Sequence, residues 1–280
     1  MKSKILVRRD QPESIIQYLN NHNNDNNGVN IAKLFDVGYH IAKGSKLSET
    51  LEGLSEKIPH QIFLTARSSN FNIKEEEKVR CAEIVERKGL RVFVHTPYLL
   101  NLANSDEYIV ASLQKHLTVC AEMKFKGCVV HVGKSVKKPL EEAMGNMRSN
   151  ILQAIEFATP ECPLLLETPA GQGTEMLTNR EEFMDFIMSI NDARLGVCID
   201  TCHVFSLGYM PMDYINYMIN NDELMKYLKL IHYNDSETEC NSCVDRHAFL
   251  FKGKIPMEQL VHVAFVGQNY NIPLVIEYST

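Results

Sequence analysis

The sequence lacks any hydrophobic run long enough to span a membrane. Among its 280 residues there is no apolar stretch of about 18 residues, so no membrane-spanning helix is predicted. The first ten residues are charged and place only Ile5, Leu6 and Val7 together. Three apolar residues are too few for the hydrophobic segment of a secretory signal peptide. We therefore expect an intracellular protein with no membrane contact, and cytoplasm and nucleus remain as alternatives.

Motifs for nucleotide cofactors are also missing. No Gly-x-Gly-x-x-Gly fingerprint follows a strand-like run and no Walker loop is present, which argues against nucleotide chemistry. Of eight cysteines, only Cys240 and Cys243 form a CxxC pair, and no second pair accompanies them. We interpret this pair as part of an ordinary loop, with a redox pair or half of a zinc site as alternatives. The other cysteines are expected to be reduced thiols.

Positive charge is in deficit, with a formal net charge of −6. Phosphate contacts require Lys and Arg, so this balance is a weak argument against a nucleic-acid partner. The argument is weak because binding depends on the local electrostatic field at the binding surface rather than on the net charge of the whole protein.

The chain is expected to divide into an N-terminal extension, residues 1–33, and one catalytic domain, residues 34–280. Residues 20–30 are rich in asparagine, which predicts a flexible linker rather than a packed element. Before the linker, Ile15, Ile16 and Leu19 have helical spacing within a short amphipathic segment.

Short apolar runs recur along the rest of the chain, and most end in a polar or ionisable residue. There are eight: residues 34–40, 61–66, 91–95, 127–131, 163–167, 195–200, 228–232 and 273–277. Segments with helical periodicity separate these runs, including residues 74–88, 106–124 and 140–157. The first two of these helices are predicted to stop at a Lys-Gly pair, at residues 88–89 and 126–127. Eight such units predict a (β/α)₈ TIM barrel. A doubly wound open sheet is the competing fold.

Ionisable residues close these runs or follow them in the adjacent loops, and in a closed barrel they would meet at one mouth. The set is His40, His95, His131, Glu167, Asp200, His203, His232, Asp245, His247 and Glu277. So many convergent groups would repel or stay poorly solvated unless divalent cations bind among them. Imidazole with carboxylate favours Zn²⁺, with Mn²⁺ or Fe²⁺ as alternatives in some positions. Two or three closely spaced metal ions are typical of phosphoester hydrolysis. Cys198 and Cys202 are expected to point away from the mouth or to pack structurally, with no role in the site.

Three motifs in this region resemble the signatures of the endonuclease IV family of apurinic/apyrimidinic endonucleases. They are LLLETPAGQG at 164–173, GVCIDTCH at 196–203, and HYND at 232–235 followed by VDRH at 244–247. The resemblance covers residues 35–277 and implies a (β/α)₈ barrel that holds three zinc ions. It assigns the ligands in three sets: His95, His131 and Glu167; Glu167, Asp200, His232 and Glu277; and His203, Asp245 and His247.

The implied reaction is hydrolysis of the phosphodiester 5′ to an abasic site in double-stranded DNA, leaving a 3′-hydroxyl, as base excision repair requires. The resemblance makes Glu167 the catalytic residue that holds the attacking hydroxide. It implies no cofactor beyond metal ions and no covalent intermediate, and it allows a 3′-repair diesterase activity. We expect the protein to be a monomer.

The resemblance also implies DNA contacts from the loops after the strands, which fill the base stack when a damaged nucleotide is extruded. Tyr98 matches one such residue, with a rim aromatic packed on the barrel as the alternative. Arg67 matches another more loosely, with a plain surface arginine as the alternative. His40 matches a first-strand histidine that lies near the site without binding metal. Lys134 and Lys137 are candidate phosphate contacts, or part of a solvated charge run.

The sequence departs from the family pattern in three places. Phe251 and Lys252 replace the first two residues of a Gly-Glu-Gly turn, which is expected to alter the loop near the third metal. Only three residues follow Glu277, so the last barrel helix is expected to be absent. The N-terminal extension has no family counterpart, and we hypothesise that residues 11–19 cover the exposed barrel flank.

Two other functions are compatible with parts of this pattern. A metal-dependent sugar isomerase or epimerase would share the barrel, but it typically needs fewer histidines and gives His203, Asp245 and His247 no role. A catalytically inactive DNA-binding protein or scaffold should have lost metal ligands, whereas all nine candidates are present.

Overall fold

Eight parallel strands close into a barrel in the computed structural model, which describes residues 35–65 and 71–277. The barrel strands are β1 (Gly38–Ile41), β2 (His60–Phe63), β3 (Val92–His95), β4 (Cys128–His131), β5 (Leu164–Glu167), β6 (Leu195–Asp200), β7 (Leu228–His232) and β10 (Leu274–Ile276). Each strand pairs with its successor, and β10 lies between β7 and β1. A short antiparallel ribbon joins β8 (Asp235–Ser236) to β9 (His247–Ala248). The predicted (β/α)₈ barrel is confirmed.

Helices connect the strands and pack around the barrel. They are α1 (Leu47–Glu52), α2 (Glu75–Lys88), α3 (Glu107–Glu122), α4 (Leu140–Ala154), α5 (Arg180–Ile190), α6 (Thr201–Ser206), α7 (Pro211–Ile219), α8 (Asp222–Met225) and α9 (Met257–Asn269). In α2 the first turn is acidic and the last is basic, which suits the helix dipole. Gly89 then ends it with a φ of 65°, as predicted. Within the described ranges, no helix combines the length and apolar character that crossing a bilayer requires.

The second predicted helix stop, at Lys126 and Gly127, is wrong. α3 ends at Glu122, and the residue with left-handed backbone is Lys124, with a φ of 61°. Gly127 instead leads into β4, where a Cβ would lie 2.9 Å from Cδ1 of Leu165. This glycine therefore leaves packing space inside the barrel rather than terminating a helix.

A separate layer of six apolar residues fills the barrel interior: Phe93, Val129, Leu165, Cys198, Leu230 and Val275. Each lies two residues before a predicted site residue, namely His95, His131, Glu167, Asp200, His232 and Glu277. Alternate residues of a strand share a face, so the site residues also face inward, one step nearer the mouth. Cys198 shares the inward face of Asp200 and packs within this layer, so of its two expected placements the structure shows the structural packing.

Several expectations fall on residues outside the described ranges. They are the N-terminal extension with its asparagine-rich linker, the segment 11–19 as a cover for the barrel, Arg67, and the chain after Glu277. These stay predictions.

Gly38 begins β1 in close contact with the chain before β2. A Cβ at this position would lie 1.6 Å from the carbonyl oxygen of Pro59. We expect Gly38→Ala to lower the free energy of unfolding by about 3 kcal/mol, because the strand must move to admit the methyl group. Gly145→Ala in α4 is the control, since a Cβ there would meet no atom within 4 Å. It should instead stabilise the protein by up to about 1 kcal/mol. Equal urea unfolding midpoints would contradict this account.

Candidate metal centre

Glu167 lies fully buried at the C-terminal end of β5, in the centre of the barrel mouth. Its Oε2 atom is 3.2 Å from Nε2 of His95 and 3.0 Å from Nδ1 of His131. Its Oε1 atom is 2.8 Å from Nδ1 of His232. One carboxylate thus faces imidazoles that come from β3, β4 and β7.

A second group surrounds the Nδ1 atom of His232. This nitrogen is 3.2 Å from Oε2 of Glu277 and 3.8 Å from Oδ2 of Asp200, in addition to its contact with Glu167. One ligand atom from each of these four residues lies within 4.8 Å of all the others. Three carboxylates converging on one ring nitrogen form a set that can hold a cation.

A third group forms where α6 and the β8–β9 ribbon meet. Asp200 caps α6, because its Oδ1 accepts a hydrogen bond from the His203 backbone N–H at 3.0 Å, and this turn brings the His203 ring to the mouth. Oδ1 of Asp245 is 3.3 Å from Nε2 of His203 and 3.2 Å from Nε2 of His247. These three residues also have ligand atoms within 4.8 Å of one another.

Two residues differ from the predicted grouping. In the first set, the residue mutually close to His95 and Glu167 is His232 rather than His131. His131 contacts Glu167 through Nδ1, and its buried Nε2 atom has no hydrogen-bond partner in the described part of the chain. Cys202, for which the sequence suggested no role, lies with Asp200 and His247 in a further group of close ligand atoms.

The electrostatics of the mouth keep its central carboxylate ionised. Burial would raise the pKa of Glu167, but the imidazoles of His131 and His232 hold it well below its usual value. Burial lowers the pKa of His131 to about 4. Burial would also lower the pKa of His203, but Asp200 and Asp245 hold it well above its usual value. A metal ion binds an ionised carboxylate and a neutral imidazole, so Glu167 and His131 are in the binding state, whereas zinc would have to displace the proton that His203 holds.

Asn234 and Gln61 belong to the site although the sequence reasoning passed over both. Nδ2 of Asn234 donates to Oδ2 of Asp200 at 2.6 Å, and its Oδ1 accepts from the Glu277 backbone N–H at 3.0 Å. The sequence does indicate Asn234, because it follows His232 by two residues and alternate residues of an extended chain lie on the same face. Gln61 is fully buried in β2.

Two of the predicted DNA contacts, Tyr98 and His40, line a cavity of about 1060 Å³ at the barrel mouth. Tyr98 is 59% exposed, its ring centroid is 4.2 Å from that of His131, and its hydroxyl donates to Oδ2 of Asp245 at 2.7 Å. His40 lines the same cavity, with its ring centroid 4.3 Å from that of Phe63. Lys134, a candidate phosphate contact, forms an ion pair with Glu175 at 3.2 Å.

The loop that departs from the family turn is held by Asp235. Its carboxylate accepts hydrogen bonds from the backbone N–H groups of Gly253 at 2.8 Å and Ile255 at 3.1 Å. A Cβ on Gly253 would lie 2.3 Å from the carbonyl oxygen of Ser236, so glycine is required there. Phe251 has a φ of 63°, a conformation that favours glycine, so this loop keeps a glycine-like backbone despite the substitution.

This chain was compared with protein families and with known proteins, some of which share only the barrel fold and some of which belong to the same family. A family model described as a xylose isomerase-like TIM barrel matches residues 60–280. The probable endonuclease 4 of Mesomycoplasma hyopneumoniae strain J is 31% identical over 227 residues, which covers 78% of this chain and 79% of the relative. The chain belongs to the endonuclease IV family.

Solved structures agree with this assignment to the endonuclease IV family. Endonuclease IV from Thermus thermophilus superposes with a TM-score of 0.74 at 26% identity, over 88% of this chain and 93% of that one. A D-tagatose 3-epimerase-like protein superposes with a TM-score of 0.65 at 17% identity, over 86% of this chain and 90% of that one. The second likeness shows the fold alone.

Proposed function

We propose that this endonuclease IV family member is a zinc-dependent nuclease that hydrolyses the phosphodiester 5′ to an abasic site in double-stranded DNA, leaving a 3′-hydroxyl. The observation that carries the proposal is the convergence of carboxylates and imidazoles around the buried Glu167. The relatives named endonuclease 4 support a DNA substrate. On this proposal, residues 34–280 form the catalytic domain of a monomer and residues 1–33 an extension.

The donor set fits zinc. Nδ1 of His232 faces oxygens of three carboxylates, and Nε2 of His131 is buried without a hydrogen-bond partner among the described residues. A cation would satisfy both arrangements. We assign the three zinc ions to His95, His131 and Glu167; to Glu167, Asp200, His232 and Glu277; and to His203, Asp245 and His247. Bound zinc would supply Lewis-acid stabilisation of phosphate charge and a nucleophile at neutral pH.

The side chains of the chain itself bind and orient the substrate. Glu167 remains ionised, so it can accept a hydrogen bond from the attacking water and hold it in line with phosphorus. His40 lines the cavity, and its buried Nε2 has no partner among the described residues, so a phosphate oxygen that enters the cavity can become that partner. Tyr98 lies at the rim, where its ring can replace the stacking lost at an abasic site.

Incision of a duplex with one abasic site tests the proposed reaction. The zinc-loaded protein should cut the damaged strand once, and the upstream fragment should carry a 3′-hydroxyl that a DNA polymerase extends without further processing. The undamaged duplex should stay intact. A 3′-unsaturated aldehyde, the product of β-elimination, would contradict hydrolysis. Activity on a ketose sugar without any DNA incision would favour the isomerase alternative.

Tyr98→Ala should raise KM for abasic DNA about 10-fold, because base–aromatic stacking contributes about 1–3 kcal/mol per base. Tyr98→Phe keeps the ring and loses only the hydrogen bond to Asp245, so its KM should stay near that of the wild type. Tyr270→Ala is the control, since Tyr270 caps the C-terminus of α9 at the opposite end of the barrel. Steady-state incision kinetics measure all three. An unchanged KM for Tyr98→Ala would remove Tyr98 from the DNA interface.

A further inference from the structure

Gln61 is a fully buried polar residue inside the barrel. In the register of β2 and β3 it lies opposite Phe93, a member of the interior apolar layer. At this height along the barrel axis, β2 therefore contributes the amide of Gln61, whereas the neighbouring strand β3 contributes the aromatic ring of Phe93. Burying an amide costs free energy unless its polar groups form hydrogen bonds, so its partners indicate why it is there.

The amide is fully bonded, and all of its partners belong to the mouth. Nε2 of Gln61 is 2.7 Å from Oε1 of Glu277 and 3.1 Å from Nδ1 of His40. Oε1 of Gln61 is 2.8 Å from Nε2 of His232. These partners come from β1, β7 and the end of β10, so one side chain links three separate strands of the site.

The chemistry of these partners fixes where hydrogens lie. A carboxylate oxygen only accepts hydrogen bonds, so the amide nitrogen of Gln61 must face Glu277 and its carbonyl must face His232. Nε2 of His232 must then carry a hydrogen. In the neutral imidazole, the form that binds a metal ion, Nδ1 of His232 is then the ring atom with the lone pair, and Nδ1 is the atom that faces Glu167, Asp200 and Glu277.

We infer that Gln61 is a positioning residue for the metal shared by His232 and Glu277. It holds the hydrogen on Nε2 of His232 and directs Nδ1 at the metal. It also fixes the Glu277 carboxylate through Oε1, so that Oε2, which accepts from Nδ2 of Asn234 at 3.2 Å, faces Nδ1 of His232. The inference rests on the proposed zinc centre. Partners that orient ligands in this way typically contribute about 10- to 100-fold to metal affinity.

The test is zinc affinity in Gln61→Met, which keeps the length of the side chain and removes both polar groups. Titration of the zinc-loaded protein with a chromophoric chelator should show one zinc ion bound about 10- to 100-fold more weakly, with the other two unchanged. Gln114→Met is the matched control, because Gln114 lies on α3 and its side chain, within the described part of the chain, bonds only to the carbonyl oxygen of Gln153, at 3.2 Å. Its three affinities should equal those of the wild type.

A second measurement separates positioning from general damage to the barrel. In zinc-loaded protein labelled with ¹⁵N-histidine, the Nε2-bound hydrogen of His232 should be protected from exchange in the wild type and exposed in Gln61→Met. Damage to the fold would lower the affinity for all three zinc ions together, and that result would contradict the inference. If Gln61→Met does not fold, Gln61→Asn takes its place, since its amide is one methylene too short to reach both partners.

The results distinguish this inference from the proposed function. Three tightly bound zinc ions in the wild type, with equal affinities in both Gln61 variants, would overturn the role of Gln61 and leave the zinc centre intact. A wild-type protein that binds no zinc would overturn the zinc centre and the role of Gln61 with it.

Discussion

Glu167→Gln is expected to lower the rate of abasic-site incision by at least about 10³-fold while leaving the barrel folded. Both oxygens of Glu167 contact imidazoles, with His95 and His131 on Oε2 and His232 on Oε1. A neutral amide removes the negative charge from the centre of this set and replaces one acceptor with a donor. The attacking water would lose its hydrogen-bond acceptor. Residue 167 would also bind zinc more weakly at both of the positions to which Glu167 is assigned.

Single-turnover incision of an abasic duplex measures this effect, because it isolates the chemical step from product release. Glu142→Gln is the control: Glu142 lies on the exposed face of α4 and, among residues 35–65 and 71–277, pairs only with Lys138, at 3.5 Å. It should cut at the wild-type rate, and circular dichroism should show both variants folded. A Glu167→Gln rate within about 10-fold of the wild type would show that Glu167 is not the catalytic carboxylate.

Removal of the metal ions should lower the melting temperature by about 10 °C or more and abolish incision. A ligand at about 1,000 times its Kd stabilises the folded state by about 4 kcal/mol. For a domain of this size, the loss of one such site lowers the melting temperature by about 8–16 °C. The physical reason is that Glu167, Asp200 and Glu277 would face one another around His232 without a cation between them.

Differential scanning calorimetry before and after dialysis against a chelator measures the shift, and added Zn²⁺ should restore both stability and incision. Mg²⁺ is the control, because it prefers oxygen ligands in octahedral geometry and should not replace zinc among imidazoles. An unchanged melting temperature after complete metal removal would mean that the mouth is stable as an empty hydrogen-bonded network.

The sequence alone was sufficient to predict the barrel and the candidate ligands that face into it. Five of the eight barrel strands end in an ionisable residue, and strand periodicity places Glu167 and His232 on the face of the residues two before them. The same rule, applied consistently, would have placed Cys198 inside the barrel. The error at Gly127 came from treating Lys-Gly as a helix stop, when the glycine serves packing against Leu165.

Contacts between distant parts of the chain could not be predicted in this way. Gln61 and Glu277 are 216 residues apart in sequence, and only closure of the barrel brings their side chains to 2.7 Å. The proximity of Cys202 to Asp200 and His247 likewise depends on how the β8–β9 ribbon folds back over α6. Local periodicity specifies which face a residue occupies, but not which residue of another strand it meets.

Anomalous scattering at the zinc absorption edge, measured from crystals grown without chelator, tests the central claim most directly, because it counts the metal ions and locates them together. The account predicts three peaks inside the barrel mouth: one by His95, His131 and Glu167, one by Asp200, His232 and Glu277, and one by His203, Asp245 and His247. A mouth without any peak, with these side chains joined only to one another as hydrogen-bond partners, would contradict it.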